Sequence, residues 1–289
     1  MTDAPTGRLA PTPSGHLHLG NALAFGAAYL STRSAGGRLL LRIEDLDRGR
    51  AREDVARAQR DDLRWLGIDW DEEVPPQSAR TYDTAGLDVY RCACSRAARL
   101  AGTCRCRDLP RGAAPPDAPA AIRLRTPRAA VAFVDRALGP RSVLPDDDPV
   151  LVRADGEAAY PLAVVIDDAR DGVDEVVRGG DLVEATAVQL VIHRMLGLAP
   201  PTYLHVPVLL GPDGRKLSKS HGSTELRALR ACGCPYPSAQ AAPSWPPSPA
   251  KNRWPTCAPT ARCKTAKRRR FCIARKATIS NAALPAQTD

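Results

Sequence analysis

"RLAPTPSGHLHLGN", residues 8–21, decides the fold. A short apolar opening gives way to two prolines, a Ser-Gly, two histidines one residue apart, then Gly20 and Asn21. The helix-like stretch "NALAFGAAYLSTR" (21–33) follows directly. This is the grammar of a buried strand turning into a helix. A helix N-terminus leaves backbone N–H groups unpaired and carries partial positive charge, so it is a natural anion site. Gly15 and Gly20 allow close approach of a phosphate to the backbone. His16 and His18 alternate in an extended segment, so both are expected to point one way and donate to phosphate oxygens. The alternative is a Pro-Gly turn carrying two surface histidines.

Outward from this stretch the pattern repeats. "RLLLRIEDLD" (38–47) opens as a buried strand and ends in acids, and "REDVARAQRDDLRWLGI" (52–68) places Val55, Ala58, Leu63 and Leu66 on one helical face. Strand, helix, strand, helix predicts an α/β fold on a parallel sheet. Residues 71–149 are richer in Pro, Cys and Arg and read as an inserted subdomain, with "AAIRLRT" and "VAFVDRALG" as strands inside it. The α/β rhythm returns at "AAYPLAVVIDDA" (158–169) and "DEVVRGGDL" (174–182), then a helix over 183–197 and a strand over 203–210. The expected organisation is 1–70 and 150–233 as two halves of one α/β domain around the insert, with 234–289 a tail.

The chain has 289 residues, a formal charge of +9 and nine cysteines. Its mean hydropathy is −0.28. No apolar run reaches 18 residues, so no membrane helix is expected, and "MTDAPTGR" lacks the layout of a secretory signal. Cytoplasmic localisation is the expectation, with the cysteines reduced or bound to metal. Residues 235–289 hold ten Lys or Arg and one acid, Asp289, which leaves 31 bases against 31 acids in residues 1–234. All the excess charge is therefore in a tail with nine prolines and no apolar period. It is either a basic arm for RNA or a disordered end, or an out-of-frame translation of a GC-rich gene.

Two hundred residues downstream, "KLSKS" (216–220) follows the turn signal "GPDG" and offers Lys216, Lys219 and two hydroxyls. Such a loop suits a polyphosphate whose charge grows in a transition state. "PTPSGHLHLGN" resembles the HIGH signature of class I aminoacyl-tRNA synthetases, with His18, Gly20 and Asn21 as its first, third and fourth letters. "KLSKS" resembles their KMSKS signature, with Leu for Met. "RLAPTPSG", "RIEDLD", "AYPLAVVIDD", "VVRGGDL" and "YLHVPVLLGPDGRKLSKS" are similar to the glutamyl-tRNA synthetase branch. The resemblance covers about residues 7–233 and, without an anticodon-binding half, points to the truncated paralogues, the glutamyl-Q tRNA(Asp) synthetases.

That resemblance implies a Rossmann-like catalytic domain and tRNA-independent activation of L-glutamate by ATP, with Mg2+ arriving on the nucleotide. It implies transfer of the glutamyl group to the queuosine base of tRNA(Asp) by a monomer. The remaining function readings are a fragment of a glutamyl-tRNA synthetase and a catalytically weak RNA-binding relative. It assigns His16, His18, Lys216 and Lys219 to catalysis, and His18, Gly20, Asn21 and Lys219 to ATP. Glutamate falls to Arg8, Leu9, Ala10, Pro11, Thr12, Glu44, Tyr160 and Arg178, with Thr12 in place of the more usual Ser. The chemistry agrees: Arg8 and Arg178 can each grip a carboxylate with paired N–H bonds, Glu44 can receive the ammonium, and Tyr160 adds a phenolic hydrogen bond. The alternative for Arg178 is a surface ion pair with Asp181 or Glu175.

"CACSRAARLAGTCRC" supplies Cys92, Cys94, Cys104 and Cys106, four thiols suited to one tetrahedral Zn2+. The family's site uses Cys-x-Cys, a Tyr and a later Cys, and Leu100 stands at the Tyr position. Cys106 or a water then completes the shell, or the site is lost. Two further departures from the family are the short "TAGLD" between "QSARTYD" and "VYRCACSR", and the proline-rich tail past residue 233.

Overall fold

A computed structural model describes residues 4–92, 120–145, 147–209 and 225–231. The opening strand β1 (Thr6–Leu9) buries Gly7, Arg8 and Leu9, and helix α1 (Leu19–Ser34) crosses back over it. A Cβ on Gly7 would lie 2.2 Å from the Thr32 hydroxyl of α1, so only glycine permits this close packing. Strand β2 (Arg38–Leu41) then pairs with β1 in parallel, from Thr6 opposite Arg38 to Leu9 opposite Leu41. Helix α2 (Glu53–Trp65) leads to a short parallel edge strand, β3 (Glu72–Glu73).

The middle of the chain is divided between two sheets. Strands β4 (Val89–Cys92), β5 (Ala121–Leu124) and β8 (Val150–Val152) form a three-stranded antiparallel sheet in the order β4-β5-β8. Strands β6 (Val131–Asp135) and β7 (Gly139–Val143) make a hairpin in the main sheet instead. The sequence groups "VAFVDRALG" with the insert, because composition reports no sheet partner. In space it extends the catalytic sheet.

Of the segment 158–169, residues Tyr160–Arg170 form helix α3. Strand β9 (Glu175–Gly179), a 3-10 turn (Gly180–Leu182), helix α4 (Val183–Met195) and strand β10 (Thr202–Val206) follow. The main sheet runs β3-β2-β1-β9-β10-β6-β7, parallel throughout except for β7. β1 lies between β2 and β9, so chain order reverses there. In open α/β sheets the crevice beyond the strands' carboxyl ends at such a switch point is where ligands bind.

Leu9, Leu39, Leu41 and Ile43 pack with Leu63 of α2 and Ile68. On the other side Leu124 and Leu151 of the small sheet join Leu162 and Val165 of α3 and Val191 and Ile192 of α4. The buried face of α2 is Val55, Ala56, Gln59, Asp62 and Leu63. Ala58 and Leu66, expected on that face, are half-buried at its border. The face turns because Gln59 is drawn inward by two backbone carbonyls of the opening loop.

Candidate active site

Residues 10–18 leave β1 as a loop pinned from three sides. The Gln59 amide donates to the carbonyls of Thr12 (3.0 Å) and Gly15 (2.8 Å). The backbone N–H groups of Glu44 and Arg52 donate to Pro11 and Pro13. At the end of the loop, His18 is the N-cap of α1. Its Nδ1 accepts from the Gly20 N–H at 3.1 Å, while the Asn21 side-chain oxygen accepts from the His18 N–H at 3.0 Å. This reciprocal pair is a capping box. Because Nδ1 is an acceptor, the neutral ring carries its proton on Nε2. A Cβ on Gly20 would sit 2.9 Å from the imidazole, so glycine is what lets the ring fold over the helix start.

A cleft of about 410 Å³ opens at this point, within the usual range of roughly 300–1,000 Å³ for small-ligand sites. His18, Gly20 and Asn21 line one end. Arg8, Ala10, Thr12, Glu44, Tyr160 and Arg178 line it as well. Leu9 is fully buried in the core instead, and Pro11 acts through its carbonyl on Glu44. The two histidines part company. His16 is not among the lining residues, and its buried Nδ1 has no hydrogen-bond partner among the described residues. It lies on the Asp62 side of the loop.

The polar end is built from strand termini. Arg8 of β1 is 5% exposed, 3.4 Å from Asp168 and from the Val177 carbonyl. Glu44, just past β2, is 8% exposed, and its Oε1 has no hydrogen bond among the described residues, the nearest cation being Arg42 at 3.5 Å. Burial pushes the Glu44 carboxyl above its ordinary range against the pull of Arg42 and Arg8. Glu44 nonetheless lines the cleft, and a carboxylate there is suited to an incoming ammonium.

Arg178 of β9 is buried, not a surface ion-pair residue. Its Nε donates to His205, Nη2 to the Thr186 hydroxyl (2.8 Å) and the Leu182 carbonyl, and Nη1 to the Tyr160 hydroxyl at 3.3 Å. Four of its five N–H groups are thus engaged, and Glu175 instead bonds Ser31, Thr32 and Arg136. What Arg178 and Tyr160 offer the cleft is one Nη1 proton beside one phenolic proton. Burial holds the Tyr160 hydroxyl protonated by raising its pKa.

Beneath this end lie charges that sequence reasoning missed. Arg42 is fully buried and donates to Asp168 (2.6 Å) and Asp171 (2.9 Å). Burial disfavours the Asp168 anion, yet Arg8 and Arg42 bring it below the usual carboxylate range. Arg80 adds bonds to Asp167 and Asp171. The signal was present in "RIEDLD" and "VIDDAR", where charges interrupt apolar runs at strand and helix ends.

Lys216, Lys219, Cys94, Cys104 and Cys106 lie outside the described residues, as do Leu100 and the tail. Cys92 is buried at the end of β4. The flanks of 210–224 are both at the cleft: Leu209 lines it, and Glu225 forms an antiparallel bridge with His18. The Leu226 N–H donates to Leu17, starting the short helix α5 (Leu226–Ala231), whose Arg230 is 3.5 Å from Asp62.

The family model for the catalytic domain of class I tRNA synthetases (E and Q) matches residues 6–96 and 93–236. The chain belongs to this synthetase family. Among curated relatives, the glutamyl-Q tRNA(Asp) synthetase of Nitratidesulfovibrio vulgaris is 43% identical over 270 residues, covering 79% of this chain and 82% of its own length. That of Deinococcus radiodurans is 44% identical over 253 residues, covering 79% and 84%. A solved glutamate tRNA ligase from Elizabethkingia meningosepticum, in complex with its amino acid, superposes with a TM-score of 0.64 at 25% identity, covering 76% of this chain. The chain spans about half of that synthetase, 53% of its length. Among the described residues no helix is long and apolar enough to cross a membrane.

Proposed function

We propose that this class I synthetase activates L-glutamate with ATP and transfers the glutamyl group to the queuosine base of tRNA(Asp). The observation that carries the proposal is one cleft with two ends. Arg8, Arg178, Tyr160 and the Glu44 carboxylate form the first, and a histidine-capped helix N-terminus forms the second. Glutamate has an ammonium for Glu44, and carboxylates for the cations. The names of the relatives at 43–44% identity support the same substrate pair.

The α-carboxylate oxygen attacks the α-phosphorus of ATP, the bond to the β-phosphate oxygen breaks, and pyrophosphate leaves. The chain's part is positioning and charge stabilisation. His18 Nε2–H and the α1 N-terminus donate to phosphate, while Lys216 and Lys219 of "KLSKS" meet the charge developing on pyrophosphate. Mg2+ enters with the nucleotide. A hydroxyl of the queuosine cyclopentenediol then takes the glutamyl carbon, and AMP departs.

Glutamate-dependent ATP–pyrophosphate exchange without tRNA is the test, followed by transfer of labelled glutamate to tRNA(Asp) with and without queuosine. Exchange without tRNA and transfer only to the modified tRNA support the proposal. Exchange that requires tRNA(Glu) overturns it in favour of a glutamyl-tRNA synthetase. Lys219→Ala is expected to lower exchange on the order of 10²–10³-fold with an unchanged melting temperature. His18→Ala is expected to raise the KM for ATP and to cost about 1 kcal/mol of stability, read by denaturant melts, because the cap is lost.

For the insert, four thiols within residues 92–106 form a donor set that fits Zn2+ and not Mg2+. Cys92, Cys94, Cys104 and Cys106 would hold the metal, which would brace the subdomain rather than join the reaction. Metal analysis of purified protein is expected to give about one equivalent of zinc. Less than about a tenth of an equivalent rejects the site.

A further inference from the structure

Behind Arg178 lies a chain of buried groups that reaches a third strand. His205 of β10 is fully buried, and Asp135, the last residue of β6, is 1% exposed. His205 Nδ1 is 2.6 Å from Asp135 Oδ2, and the His205 N–H also donates to that oxygen. The other Asp135 oxygen accepts from the Ala137 and Leu138 N–H groups at the turn into β7, so the carboxylate is fixed from both sides. On the far side of the ring, His205 Nε2 is 3.1 Å from Arg178 Nε and 3.2 Å from the Thr186 hydroxyl. The Tyr203 ring stacks on His205 and lies under the Arg178 guanidinium at 5.2 Å.

Donor bookkeeping admits one tautomer. Arg178 Nε can only donate, so the Nε2 facing it must be a lone pair. Asp135 can only accept, so Nδ1 must carry the proton. We propose that Asp135 and His205 are positioning residues for the amino-acid subsite: the carboxylate fixes the imidazole as its Nδ1–H form, whose Nε2 lone pair anchors Arg178. With Nε and Nη2 held this way, Nη1 is left to Tyr160 and the cleft. Burial depresses the His205 pKa, which keeps the ring neutral as this role requires. The hairpin β6–β7 thereby acts on substrate geometry without touching the cleft.

The inference rests on the glutamate reading for its kinetic consequence, but not for its structural one. Asp135→Asn keeps size and shape while placing an amide donor where one carboxylate oxygen stood. The ring is expected to switch to Nε2–H and to face Arg178 Nε donor to donor. His205→Leu removes the acceptor outright, and His205→Gln restores one. In ¹⁵N-labelled full chain, long-range ¹H–¹⁵N spectra are expected to show His205 as the Nδ1–H tautomer and a protected Arg178 Nε–H signal. Asp135→Asn switches the tautomer, and both Asp135→Asn and His205→Leu lose the protection. In pyrophosphate exchange the same two variants raise the KM for glutamate about ten- to a hundredfold with the KM for ATP unchanged, and His205→Gln recovers most of the loss.

An Nε2–H ring in the wild type overturns the inference, as does a glutamate KM unmoved in both variants. So does an equal change in both KM values, the mark of a merely structural role. A wild type with the expected spectra but no glutamate-dependent exchange overturns the glutamate reading alone, and the spectra of the variants still decide the anchor.

Discussion

Arg42→Met is expected to lower the unfolding free energy by about 3–5 kcal/mol at neutral pH, because it breaks a buried ion network and keeps the anions. Arg42 is fully buried and supplies the shortest contact to Asp168, at 2.6 Å, with a second to Asp171. Arg8 remains near Asp168 at 3.4 Å and Arg80 still reaches Asp171, so the anions are weakened in pairing rather than abandoned. At roughly 2–4 °C per kcal/mol for a domain of this size, the melting temperature falls by about 6–20 °C. The pH dependence has a definite sign. The folded pKa of Asp168 is depressed, so its contribution is present above the unfolded value and is lost as pH falls through the folded one. The deficit of the variant is therefore largest near neutrality and narrows in acid. Melts at pH 7 and pH 4 that show the same deficit would remove Asp168 as the group responsible.

Glu44→Gln is expected to behave in the opposite way, losing activity while gaining stability. Glutamine is isosteric, but it carries no charge for an ammonium, and a broken charge pair at a buried wall costs on the order of 10²–10³ in kcat/KM for glutamate. Burial raises the folded pKa of Glu44, so its stability contribution is full below the unfolded value and is lost as pH rises through the folded one. Ionising Glu44 in the folded wild type carries a desolvation cost that the neutral glutamine of the variant does not. Kinetics of pyrophosphate exchange and thermal melts on the same preparation check both halves. The wild-type kcat/KM for glutamate should also fall on acidification earlier than an ordinary glutamate would dictate, and Glu44→Gln should lack that limb. A variant that loses activity and stability together would make Glu44 a structural residue.

The opening stretch was legible because its residue types report backbone needs directly. Pro and Gly mark the turn, and Gly20 and Asn21 mark the helix start that His18 caps. Arg8, Glu44, Tyr160 and Arg178 converge because they lie near the carboxyl ends of β1 and β9, just past β2 and at the first turn of α3. Arg42 was not singled out, because an arginine after three leucines reads equally well as the exposed end of a strand. Helix α3 is less directly written in its residues. "LAVVI" suits a buried strand, and the cue that favours helix is Pro161 in its first turn. Asp135 was beyond reach, since pairing Tyr203 with Asp135 is a long-range choice that neither local pattern announces.

The bridge between His18 and Glu225 has a consequence for the fifteen residues between Leu210 and Thr224. Both ends of that span are fixed at the cleft, so chain length alone bounds how far any residue within it can lie from the site. The lysines of "KLSKS" lie in such a segment, between Leu209 on the cleft wall and Leu226 bonded to Leu17. The second tether closes before residue 232, upstream of the basic proline-rich stretch that starts at 235. Truncation after residue 231 would leave both knots tied, whereas truncation after residue 224 would untie one.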